Sequence, residues 1–210
     1  MIEIFNNGGP IMYPLLLCSI ISLTIIIERT FFWIEIGMQR NQKLLDEVLK
    51  LTGKGEWDLV RQKASGSHNY VIRMIISGIL HREYSLIKAM ESSAADEING
   101  MQRFMGVLDT MITVAPLMGI LGTVMGIINS FDMLGTSGIE NPQAVTAGIA
   151  QALITTATGL SISIITVFPY NYFNARTKHA AGIMEKYATS FEIVYEQILL
   201  EKNNHLRSKK

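Results

Sequence analysis

Charged side chains are missing from three long intervals of this chain. Only Glu3 is charged before Glu28, nothing is charged between Asp109 and Asp132, and no charge occurs from Asn141 to Ala175. Each interval exceeds the roughly 20 apolar residues that a helix needs to cross the hydrocarbon of a bilayer. The pattern predicts an all-α integral membrane protein with three transmembrane helices, at 11–33, 104–131 and 145–173. A short arm, residues 1–10, precedes the first of them, and a tight loop, 132–144, joins the second to the third.

The intervening polar sequence has a different period. In "NQKLLDEVLKL", Leu44, Leu45, Val48 and Leu51 recur at helical spacing, and "GKG" at 53–55 stops the run. "EWDLVRQKA" reads as a second short helix that ends at "SGS". "YVIRMIISGIL", residues 70–80, is apolar but short and interrupted by Arg73, so it predicts a buried helix and not a fourth span. From Ser85 the helical pattern runs straight into the second span, with no Pro/Gly punctuation beyond Gly100 and Gly106. Beyond the third span, Ala180, Met184, Tyr187, Phe191, Val194 and Ile198 repeat at three- and four-residue spacing, as in a helix packed on other helices. Two spans are therefore expected to extend as long helices into the polar regions 34–103 and 174–210. The final "NNHLRSKK" is expected to fray.

Charge adds an orientation. The 18 Lys and Arg balance 18 Asp and Glu, which argues against a nucleic-acid partner. All the basic residues lie between Arg29 and Arg103 or from Arg176 onward. Under the positive-inside rule both termini follow from this: N-terminus outside, C-terminus inside, with 34–103 and 174–210 cytoplasmic. A secretory leader would place positive charge before its apolar run, whereas Arg29 and Arg40 come after it, so the first span is expected to remain in the protein. The single cysteine, Cys18, cannot form an intrachain disulfide and reads as a small buried hydrophobe. The four histidines are scattered among polar residues, and no phosphate loop, nucleophile elbow or metal-ligand spacing occurs. No enzyme chemistry, cofactor or metal is expected.

The second and third spans are unusually rich in small and polar residues. "TMITVAPLMGILGTVMGIINSF" places Gly119, Gly122 and Gly126 three and four apart, a spacing that lets helix backbones approach closely. Pro116 removes a backbone donor, so one carbonyl of that helix needs another partner. In the third span Gly148, Ala152, Thr155 and Gly159 form a matching strip. Gln151 falls on the side of Thr155 and Thr158, with Thr156 about 100° further round. Two explanations stay open. The polar groups are packing glue, or they line a hydrated passage within an oligomer. None of the three span interiors contains Asp, Glu, His, Lys or Arg. A titrating group near mid-membrane would have to come from another protein.

"APLMGILGTVMGIINSF", followed by a short loop and "GIAQALITTATGLSISIITVFPYNYF", resembles the paired signature of the MotA/TolQ/ExbB proton-channel family. The three-span layout looks like its ExbB/TolQ branch. The resemblance is strongest over about 104–176. It implies a ring-shaped homopentamer in the bacterial inner membrane, acting as the stator of an ion-driven motor. Such a ring surrounds two copies of a single-span ExbD/TolR-like partner, whose membrane aspartate takes up and releases protons. It also implies that Thr123, in "GTV", and Thr156 face the ion path, with Thr155 and Gln151 beside them. Gly119, Gly122, Gly126, Gly148 and Gly159, with Pro116, would serve close packing and the partner helix. Gln151 departs from the pattern, since many members carry a glutamate there.

Overall fold

The computed structural model describes residues 5, 8–38, 42–64, 66–67, 69–82, 84–137 and 142–207. Most of the expected arm (1–4, 6 and 7), the middle of the expected loop (138–141) and the last three residues of the tail lie outside this set. The described residues form α1 (Met12–Met38), α2 (Gln42–Gly53), α3 (Trp57–Ala64), α4 (Tyr70–Leu80), α5 (Leu86–Met101), α6 (Met105–Ser137) and α7 (Pro142–Arg207). Three stretches, Met12–Met38, Leu86–Gly135 and Val145–Ile198, are long and apolar enough to cross a membrane. The chain folds as two compact units, one made of residues up to Thr30 with Phe104–Asn174, the other of Phe31–Arg103 with Ala175 onward.

The polar unit is built by local rules. Gly55 and Gly66 adopt left-handed backbone (φ +72° and +81°), which ends α2 and α3 where the glycines lie in the sequence. Asn69 caps α4 by accepting from the Val71 amide at 2.9 Å. One stripe of α4, including Ile72, Met74 and Ile75, is fully enclosed with Val48, Val60, Met90, Met184 and Phe191. Trp57 packs edge-on against Phe191 and Tyr195, and the Arg82 guanidinium lies 5.7 Å from the Trp57 ring centroid. Thus Met184, Tyr187 and Phe191, three of the periodic apolar positions of α7, pack onto the short helices.

The apolar unit contains α1 up to Thr30, α6 and the first half of α7. Met12 and Leu15 are buried against Ala115, with Met118, Ile154 and Ile162 around them. The opposite faces carry Leu17, Leu23, Leu117, Ile120, Leu153 and Phe168, all exposed in the single chain. Large apolar side chains pointing outward from helices of this length suit a hydrocarbon solvent.

The expected unbroken helix from Ser85 through the second span is interrupted. α5 ends at Met101, and Phe104, the residue before α6, has φ +64°, outside the helical region. The Phe104 ring lies 6.0 Å from the Arg29 guanidinium carbon. Arg29 itself is buried, with the Glu28 carboxylate 2.5 Å away. Enclosing a guanidinium at the charged end of a span requires such compensation. The apolar period alone carries no sign of this local contact.

Candidate functional site: the seam between the second and third spans

α6 and the first half of α7 run antiparallel, and the glycines set how close they come. A Cβ built on Gly119 would lie 3.0 Å from the Thr155 carbonyl oxygen and from the Thr156 Cα. One on Gly126 would lie 2.8 Å from the Gly148 carbonyl oxygen and 3.0 Å from the Ala152 Cβ. Gly122 faces the Thr155 side chain, Gly148 faces Ser130, and Gly159 faces the Ala115 carbonyl. The spacing of small residues on each strand of sequence has become one seam, in which backbone meets backbone. Pro116, half-buried, lies one turn from Gly119.

Hydroxyls tie the seam across its length. Ser130 donates to the carbonyls of Gly126 (2.9 Å) or Val145 (3.3 Å). Pro116 has no N–H to offer the Ile112 carbonyl four residues back, and Ser163 on α7 donates to that oxygen at 2.7 Å. The partner demanded by the proline is therefore supplied from the neighbouring helix.

At mid-seam, Thr123 and Thr156 meet hydroxyl to hydroxyl. The Thr156 hydroxyl donates to the Gly119 carbonyl at 2.9 Å. That of Thr123 reaches the carbonyls of Gly119 and Ala152, both at 3.2 Å. Each hydroxyl has one proton and two acceptor lone pairs. The pair thus has more acceptors within reach than protons to give, and it can exchange partners without moving its helices. Both side chains are half-buried, at the edge of the seam.

The other expected site residues lie elsewhere around the helix. Thr155 is enclosed at 1% exposure and donates to the Ala152 carbonyl at 2.8 Å. Gln151 faces the arm before α1. A Cβ built on Gly9, which has φ +70°, would overlap the Gln151 amide. Thr158 donates back to Ile154 within its own helix at 2.8 Å. The structure therefore brings Thr123 and Thr156 together and separates both from Gln151. Sequence reasoning did not single out Ser163, although its serine is the group that answers Pro116. Nor did it single out Gly9, whose signal was the "GGP" triplet.

The MotA/TolQ/ExbB proton channel family model matches residues 67–186, which contain α4, α5, α6 and most of α7. The chain belongs to this family. Among similar proteins, the biopolymer transport protein ExbB-like 3 of Synechocystis sp. is 32% identical over 90% of this chain and 92% of its own length. A biopolymer transport protein ExbB homolog of Methanothermobacter thermautotrophicus is 32% identical over 84% of this chain and 63% of its own length. The Tol-Pal system protein TolQ of Pseudomonas aeruginosa is 36% identical over 51% of this chain and 46% of its own length. The likeness to ExbB and TolQ proteins places the chain in that branch of the MotA/TolQ/ExbB family. The seam lies wholly within the matched region.

Proposed function

We propose that this chain is the ring-forming subunit of an ion-driven motor in the inner membrane. Its N-terminus is outside, its C-terminus inside, and five copies surround two copies of a single-span ExbD/TolR-like partner. The Thr123–Thr156 hydroxyl pair carries this reading, standing half-exposed at the edge of a seam between spans whose interiors hold no Asp, Glu, His, Lys or Arg. Protons, or sodium ions, are passed to a carboxylate that the partner helix brings to this level. Neutralising that carboxylate lets the partner helix move past a wall of glycines and hydroxyls. One charge crossing 100 mV releases about 2.3 kcal/mol for this work. Within this scheme the ion path is lined by Thr123 and Thr156. Thr155 packs the seam, and Gln151 holds the arm.

A second reading, a membrane scaffold with packing glue only, is favoured by the enclosed Thr155, which bonds only inside its own helix among the contacts described. Co-expression with the partner separates the two. Subunit stoichiometry and acidification of liposomes are measured for the native pair, for a partner lacking its membrane carboxylate, and for Thr156→Ala. Retained assembly with lost flux supports the motor reading, while lost assembly in Thr156→Ala supports glue.

A further inference from the structure

A cavity of about 510 Å³ opens between α5 and the later part of α7, within the polar unit and away from the seam. Its floor is apolar and rich in methionine: Met74, Met90 and Met184 are each almost fully enclosed, with Ala94 and Ala188 beside them. Glu91 stands on the α5 side, and Glu185 and Glu192 stand on the α7 side. Among the described residues no lysine or arginine lines it, although Lys88 and Lys186 lie on the same two helices. From Leu86 to Ile98 the α5 wall is about 18 Å long at 1.5 Å per residue, a little over three helical turns.

We propose that this groove docks a basic amphipathic helix of a partner protein other than this chain. The dimensions take apolar anchors at i, i+4 and i+7 of one helix. Methionine side chains, unbranched and polarizable, adapt to such anchors without a unique fit. Carboxylates on both walls select an occupant with cationic side chains along both flanks of its apolar stripe, and they disfavour an acidic or neutral one. The chain's own short basic helix does not meet the description. α3 carries Arg61 and Lys63, but its Val60 is fully buried and its Trp57 is packed on Phe191.

The test uses the full-length protein in phosphatidylcholine nanodiscs. The probe is a fluorescein-labelled 16-residue peptide of leucine and lysine at helical spacing, and anisotropy is compared with empty nanodiscs. Binding above the empty discs is expected, weakened at least tenfold in the triple variant Glu91→Gln, Glu185→Gln, Glu192→Gln. Ala95→Trp, which projects a ring from the α5 wall, is expected to abolish it. Helix content and subunit number are checked for each variant, and the glutamine triple keeps the test decisive should the tryptophan variant not fold. Equal binding to empty discs, or binding unmoved by the glutamine triple, overturns the proposal. So does binding that appears only after Lys202, Arg207, Lys209 and Lys210 are replaced by alanine, since the tail of a second copy would then be the occupant.

Discussion

Ser163 donates its hydroxyl to the Ile112 carbonyl at 2.7 Å, the acceptor that Pro116 leaves without a donor in its own helix. The two spans are thus coupled by a defect in one and a side chain in the other. Ser163→Ala is expected to destabilise the protein by about 1 kcal/mol, within the range for hydrogen bonds between membrane helices. In a Pro116→Ala background the restored N–H satisfies Ile112, and the same serine change should cost close to nothing. Unfolding in mixed micelles, run as a double-mutant cycle, checks this. Equal costs in the two backgrounds would refute it.

The glycines of the seam should differ sharply from glycines of the same helix outside it. Gly126→Val drives side-chain atoms toward the Gly148 carbonyl and Ala152, and is expected to cost about 1–3 kcal/mol as overpacking. A Cβ on Gly135, also in α6, meets nothing within 4 Å among the described residues. Gly135→Ala should therefore be neutral or stabilising by up to about 1 kcal/mol. Thermal stability in detergent compares them directly.

At the hydroxyl pair the expectation concerns transport more than folding. Thr156→Ser keeps the donor and should retain flux near that of the native protein. Thr156→Val keeps the volume and loses the hydroxyl, and should reduce flux at least tenfold with assembly intact. Liposome acidification together with subunit counting decides it. Equal flux from the two variants would remove the pair from the path.

Gly9 and Gln151 should behave as partners. Gly9→Ala meets both an unfavourable backbone angle and the Gln151 amide, so the arm should detach from the third span. Gln151→Ala removes the obstruction and leaves only the angle, so the double variant should recover part of the loss. Thiol labelling of Met12→Cys, a position buried in the native protein, reports arm release. If Gly9→Ala leaves that labelling unchanged, the contact is dispensable.

Glu97 gives the polar unit a pH dependence. Burial raises its pKa above the ordinary 4.5, the ion pair with Arg73 opposes this, and the nearby Asp96 adds a smaller upward push. A carboxyl whose folded pKa is raised binds protons more readily when folded. Its contribution is present below the ordinary carboxylate value and is lost as pH rises through the folded value. Glu97→Gln should flatten the fall in stability above about pH 4.5. Denaturation midpoints at a series of pH values measure it, and identical slopes for the two proteins would contradict it.

Much of this was legible in one dimension. Three spans follow from uncharged runs, because the thickness of hydrocarbon sets a length that a local window can count. The short helices of the polar unit follow from apolar period and glycine stops, as at Gly55 and Gly66. The paired motifs around Thr123 and Thr156 were enough to indicate the family.

The direction each span residue faces was decided only in three dimensions. Helical spacing put Gln151, Thr155 and Thr158 on one side of the third span, but not what that side touches. Antiparallel register with α6 places Thr155 against Gly122, aligns Thr156 with Thr123 and turns Gln151 to Gly9. The break at Phe104 is likewise invisible to periodicity, since it sits where an aromatic ring meets Arg29 from another helix. Hydropathy is a sum over neighbours in the chain, whereas facing depends on which distant segment lies alongside and in what register.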